Sequence, residues 1–326
     1  MKNNKSRKTL ILGTRQILVM VLLFCSIVSG IFYVDVAEGI EADFLYSLAS
    51  FSGVMHSNWA NIHVEKKRNE IYVVFPGKRD IRIFNDNGME IYRFGDDERL
   101  GSVNDIAVRD DGDILALSIG IRGASLILCN FRGEPLTKLE LKNLPHDFLS
   151  FSPKRITYRE GRIYLLDPNS MRIVVTDENG IFEKGYDVFA ILKIKDEHRG
   201  DTVIDGFSLD PEGNMLFTIP VLFSAYTLSP EGKIRSFGVP GSAPGRFGIV
   251  GGIVADDRGN YYVADRLKCA VLIFDKNFEF QKEFGYRGLR PENLIGPKDL
   301  AVDNQGRLYV SQLRNRGVSV FKITYP

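Results

Sequence analysis

Gly259-Asn260-Tyr261-Tyr262-Val263-Ala264-Asp265 is followed, after a three-residue break, by Cys269-Ala270-Val271-Leu272-Ile273-Phe274-Asp275. Both runs are apolar, rich in aromatic and β-branched residues, and bounded by turn formers, which is the pattern of short strands. Residues 278–284 supply another strand, ended by Gly285, and Ile253-Val254-Ala255-Asp256 supplies one before the turn at Asp257-Arg258-Gly259. The stretch predicts one antiparallel sheet of four consecutive strands.

The same template recurs along the chain. The residue that turns the first strand of each unit into the second forms the series Asn69, Gly112, Gly161, Gly213, Gly259 and Gly306, with steps of 43, 49, 52, 46 and 47. A strand follows each, as in Ile71-Tyr72-Val73-Val74, Ile163-Tyr164-Leu165-Leu166 and Leu308-Tyr309-Val310. A third apolar strand comes next, as in Ile81-Arg82-Ile83-Phe84, Leu126-Ile127-Leu128-Cys129 and Val318-Ser319-Val320-Phe321. Asn87-Gly88, Arg132-Gly133, Asn179-Gly180 and Glu231-Gly232 close these strands with hairpin turns that need a positive φ. Six units at this period predict an all-β, six-bladed β-propeller of four-stranded antiparallel blades over residues 43–326. The sixth unit lacks an outer strand. Leu45-Tyr46-Ser47-Leu48-Ala49 aligns with Ile91-Tyr92-Arg93-Phe94-Gly95, so residues 43–49 are expected to close the last blade.

Several runs resemble NHL repeats: the opening stretch, Phe237-Gly238-Val239-Pro240-Gly241, Asp299-Leu300-Ala301-Val302-Asp303 and Gly306-Arg307-Leu308-Tyr309-Val310. The resemblance is strongest in the last two units; Leu117-Ser118 and Phe217-Thr218 lack the aspartate that ends the second strand. It implies the propeller fold and, from secreted, membrane-tethered and receptor-kinase sensor relatives, recognition of a partner. Asp167 and Asp265 match the family aspartate, and their expected role is to bond backbone N–H groups of the following turn.

Residues 1–16 hold five bases and no acid, and residues 17–34 carry no charge. That predicts an apolar export or anchor helix with a short linker over residues 1–42, either a cleaved signal peptide or a retained transmembrane anchor. The basic flank places the propeller outside the cytoplasm, membrane-anchored or secreted/periplasmic. Beyond residue 42 the chain holds 37 bases and 38 acids, a balance without general attraction to nucleic acid. Its three cysteines form no CxxC or Cys/His pattern, and Cys129 and Cys269 fall in opposite blades, too far apart for a disulfide.

Aligning the units places Asn61, Asp105, Arg155, Asp205, Lys298 and Asp299 where the chain enters the inner strands, a ligand-binding set around the channel mouth. The fifth unit has Gly251-Gly252 at that position. No cofactor is expected; the cation that Asp105, Asp205 and Asp299 would suit is Ca²⁺. The principal reading is a non-catalytic scaffold for an unidentified protein, glycan or small ligand. The alternative is a metal-dependent lyase or lactonase, which similar propellers imply, with His56, His63 and His146 or the three aspartates at the mouth. Two long connections, residues 141–153 and 186–204, are charged loops suited to a binding surface. Trp59, the only tryptophan, is expected to pack under the closing strand.

Overall fold

Asp256 shows how the repeat is built. Its Oδ1 accepts the backbone N–H of Arg258 (3.0 Å) and Asn260 (2.9 Å), and Gly259 takes the positive φ of 83° that the turn demands. Asp303 does the same with Gln305 and Arg307. After the third strand, in the turn to the outer strand, Asn85, Asn130, Asp177 and Asp275 each accept N–H groups two and four residues on. These side-chain-locked turns fix strand register locally.

The structure, a computed structural model, describes residues 39–55, 59–121 and 123–326. Residues 40–324 form one unit of six four-stranded antiparallel sheets. The inner strands are Asn61–Glu65, Ser102–Val108, Arg155–Arg159, Phe207–Leu209, Val250–Ala255 and Leu300–Val302, in blades 1 to 6. Each blade then steps outward, as in blade 5 through Tyr261–Asp265, Ala270–Phe274 and Phe280–Gly285, with Tyr262 opposite Ile273. In blade 6 the order is Glu41–Ser47, Val318–Thr324, Arg307–Ser311, Leu300–Val302. The N-terminal strand is thus the outer strand of the C-terminal blade, with Glu41 opposite Thr324 and Ser47 opposite Ser319.

Because strands alternate in direction, the ring has two faces. Connections between blades, and turns from second to third strands, open on what we call the upper face. Turns from inner to second strands, and from third to outer strands, open on the lower face. Glu41 and Thr324 lie at the lower end of blade 6.

Apolar clusters fill the seams between blades: Tyr72, Ile106 and Ile114 between blades 1 and 2, and Ile173, Phe207 and Phe217 between blades 3 and 4. Each fully buried side chain of this size contributes about 2 kcal/mol. The closing strand is held on both sides, by Phe44 edge-on to Phe321 at 5.7 Å and by Tyr46 Oη donating to Asp86 O of blade 1 at 2.8 Å. The connection 186–204 differs from a solvated loop. Val188, Phe189 and Ile204 are buried in the blade 3–4 cluster, and the Arg199 guanidinium lies 3.9 Å from the Phe189 ring centroid. Cys129 and Cys269 are buried free thiols. Among the described residues no helix is long and apolar enough to cross a membrane, and the apolar stretch 17–34 lies outside them.

Candidate functional site: the channel and its upper mouth

Residues at the upper ends of the inner strands converge on the axis, and the structure sorts the six predicted ones into two groups. In the first, Arg155 of blade 3 reaches both neighbours of the mouth. Its Nε donates to Asp105 Oδ2 at 2.9 Å and its Nη2 to both carboxylate oxygens of Asp299 at 3.3 Å. The same carboxylates accept backbone N–H groups, Asp105 from Ile156 (3.0 Å) and Asp299 from Ile62 (2.9 Å). Asn61 Nδ2 donates to Asn104 O at 3.0 Å and to Asp105 Oδ1 at 3.4 Å. The bridge therefore ties blades 1, 2, 3 and 6 together. Burial pushes the Asp105 carboxyl up, against the pull of Arg155. Burial works against the charge on Arg155 too, but Asp299 and Asp105 outweigh it and hold the guanidinium above its usual range.

In the second group Asp205 accepts from Lys298 Nζ, and Arg266 Nη2 stands 3.1 Å from its other oxygen. Trp59 lies against this group rather than under the closing strand. Its Nε1 donates to Gly296 O at 3.0 Å, and Arg266 and Lys298 each sit 5.7 Å from its ring. Arg266 was not in the predicted set. It follows Asp265 in a second-to-third-strand turn, which opens on the same face as the connections between blades.

Glycines close the other half of the mouth. A Cβ on Gly206 would stand 2.5 Å from Gly251 O, and one on Gly252 would stand 2.8 Å from Lys298 O. Blades 4, 5 and 6 therefore meet backbone to backbone. That is why the fifth unit carries no side chain at this position.

Two readings are corrected by this geometry. Asp105, Asp205 and Asp299 do not gather as a cation site: Asp105 and Asp299 bracket a guanidinium, and Asp205 belongs to the other group. Among the described residues no three His, Cys, Asp or Glu side chains are placed to hold a metal ion. Nor do His63 and His146, the described members of the histidine set, converge. His63 sits mid-strand in blade 1 with its ring edge-on to Tyr72, centroids 6.2 Å apart, and burial pushes it down to about 4. His146 stands in the short turn His146–Phe148 with its side chain 96% exposed beside Asp147. His56 lies outside the described residues. Asp167 and Asp265 bond the turns after them, Asp167 Oδ1 accepting from Asn169 and Ser170, and Asp265 Oδ1 from Leu267 and Lys268. Their second oxygens reach back to Ser152 N and Gly248 N, so each also pins the connection into its own blade.

Below the Arg155 bridge the channel widens into a cavity of about 430 Å³ lined by all six inner strands. Asp105 and Arg155 close its upper end, and His63, Thr157 and Ser208 lie in its wall. At the lower rim Lys66 Nζ meets Asp257 Oδ1 at 2.7 Å, spanning from blade 1 to blade 5.

Comparison with known proteins gives the same architecture. No family model matches the chain, and no curated protein sequence does. Among solved structures it is similar to a protein of unknown function from Bacteroides thetaiotaomicron (TM-score 0.64, 11% identity, 87% of this chain and 76% of that one). It is also similar to virginiamycin B lyase from Staphylococcus aureus (TM-score 0.56, 12% identity, 87% and 99%). A gluconolactonase from Xanthomonas campestris gives 0.57, 12%, 88% and 91%. At these identities the likeness shows the six-bladed fold and nothing about chemistry.

Proposed function

We propose that this chain is a non-catalytic, NHL-type propeller that works outside the cytoplasm, joined to or released from a membrane by its N-terminal apolar stretch, and presents a rigid face to a partner protein, glycan or small ligand. The observation that carries this reading is the Arg155 bridge. A catalytic carboxylate must keep a lone pair for a metal or a proton, with room beside it for substrate. At this mouth Asp105 and Asp299 spend theirs on a guanidinium and on backbone N–H groups, and the carboxylate of Asp205 is taken by Lys298 and Arg266. The bridge reads as a stiffener of the ring, which is what a recognition platform needs.

The test is to purify the full-length protein from its native membrane fraction and measure metal content, mass and composition together. A second polypeptide in fixed ratio, with metal well below one per chain, is the expected result. One tightly bound metal per chain, lost on Asp105→Asn or Asp299→Asn, would overturn it.

A further inference from the structure

Resting on that scaffold reading, we propose that the docking surface is the upper face over blades 5 and 6, and that its occupant is an acidic protein segment bearing apolar side chains. Four connections open on that face: residues 238–249, 266–269, 286–299 and 312–317. Together they hold eight cations against two acids, Glu292 and Asp299; of the eight, Arg266 and Lys298 face Asp205 and Lys268 faces Glu283, which leaves Arg246, Arg287, Arg290, Arg314 and Arg316. Asp299 is already committed to Arg155, and Glu292 stands 3.7 Å from Arg290. Arg287 and Arg314 are exposed and make no hydrogen bond or ion pair among the described residues, and the exposed Arg246 bonds only the carbonyl of Pro240. In the connection to blade 2, on the same face, the balance is reversed, with Asp96, Asp97 and Glu98 against Arg99. The positive arc is a local feature of a nearly neutral molecule, whose formal net charge is +1.

Apolar groups are interleaved with these charges. Leu289 is 92% exposed and Leu267 67%, with Val239 and Ile249 near them on the same face. Exposed apolar side chains also stand in lower-face turns, Phe131 and Met89, and in other upper-face connections, Ile121 and Leu149; those of blades 5 and 6 are set apart by the cations beside them. Large apolar side chains held in water beside unpaired arginines are the composition of a protein contact: the apolar groups supply affinity and the charges supply orientation and approach.

Charge and connectivity decide among the occupants. A second copy meeting the same arc face to face would set like charges against each other. The chain's own N-terminal residues 1–16 carry five bases and no acid, so they repel it too. An anionic bilayer would suit the charge, but the chain joins the ring at the other face, where Glu41 pairs with Thr324. Residues 35–40 between the apolar stretch and the closing strand reach at most about 20 Å. A seven-residue strand such as Glu41–Ser47 alone rises about 23 Å. That entry at the lower face ranks a lipid surface behind an acidic protein segment as occupant of the upper one, and lipid adducts in the experiment below are the outcome that would reverse the order.

The experiment uses the full chain in its native cells, with a photo-crosslinking amino acid at Leu267, at Leu289, or at Lys276 in a lower-face turn. Each is tested alone and with Arg287→Glu and Arg314→Glu together, two exposed changes whose unchanged melting temperature shows an intact fold. Polypeptide adducts are expected from Leu267 and Leu289 and not from Lys276, falling about tenfold in the charge-reversed protein. In solution, a Glu–Leu repeat peptide should bind the detergent-solubilised protein and lose affinity with salt, while its Lys–Leu counterpart does not bind. Adducts that persist after charge reversal, or that carry lipid or a second copy of this chain, refute this inference and leave the scaffold reading standing. Absence of a polypeptide adduct at all three positions also refutes this inference, while the scaffold reading stands or falls on the metal and mass measurement above.

Discussion

Replacing Arg155 by methionine leaves Asp105 and Asp299 buried without their cation, with side-chain exposures of only 6% and 5%. Breaking a buried pair by removing one partner is far costlier than deleting it whole. Arg155→Met should therefore lower unfolding free energy by about 3 kcal/mol or more in urea titrations. Adding Asp105→Asn and Asp299→Asn should recover part of that loss. His63 gives a second prediction at this scale. Burial depresses its pKa from 6.5 to about 4, so the folded state favours the neutral ring. The associated stability is present in full above pH 6.5 and is lost as pH falls through 4, by up to about 3 kcal/mol. Urea midpoints compared across that window should show the slope in the wild type and a flatter one in His63→Phe. A Thr, Asp or Asn in place of any lower-face salt-bridge lysine is a different matter: exposed pairs such as Lys66–Asp257 are worth under about 1 kcal/mol.

At the scale of the element, Gly252→Ala sets a Cβ 2.8 Å from Lys298 O and 2.9 Å from Asp299 Cα, backbone atoms that cannot swing aside. The seam between blades 5 and 6 must open, and a loss of about 2 kcal/mol in thermal or chemical unfolding is expected. This glycine pair was visible in the sequence as a gap in the ring of polar residues, but its reason was not. Close approach of two backbones is set by three-dimensional packing and leaves no periodic mark. The turns were more legible: Gly88, Gly133, Gly180 and Gly232 announce positive φ locally, and a strand-length apolar run follows each turn by a fixed interval. Their partners Asn85, Asn130 and Asp177, three residues earlier, went unread although they lock the same turns. The long connection 186–204 looked like a charged loop because Val188, Phe189 and Ile204 follow no strand or helix period, yet they fill the blade 3–4 seam. At the mouth, alignment gave the height of each side chain on the axis and so found Asp105, Arg155 and Asp299. It could not give the reach of Arg155 across the ring to blade 6, nor Arg266, whose turn meets the mouth from a different connection.

At the scale of the whole molecule, closure depends on a strand that precedes all the others in sequence. Deleting residues through Ser47 strips the outer edge of blade 6 and removes Phe44 from Phe321 and Tyr46 from blade 1. An unpaired edge of this kind invites association between chains. The truncated protein should melt at markedly lower temperature and elute as aggregates on size-exclusion chromatography, whereas a deletion stopping before Ile40 should leave the melting temperature unchanged. The direction of that strand has a mechanical consequence. It runs from the lower face toward the upper one, so if the amino terminus is tethered and a partner is held above, as proposed, tension would pull it along its own axis against Val318–Thr324. Rungs of the ladder would then share the load at once instead of parting one after another, and the seam without a covalent tie is oriented to resist such a pull.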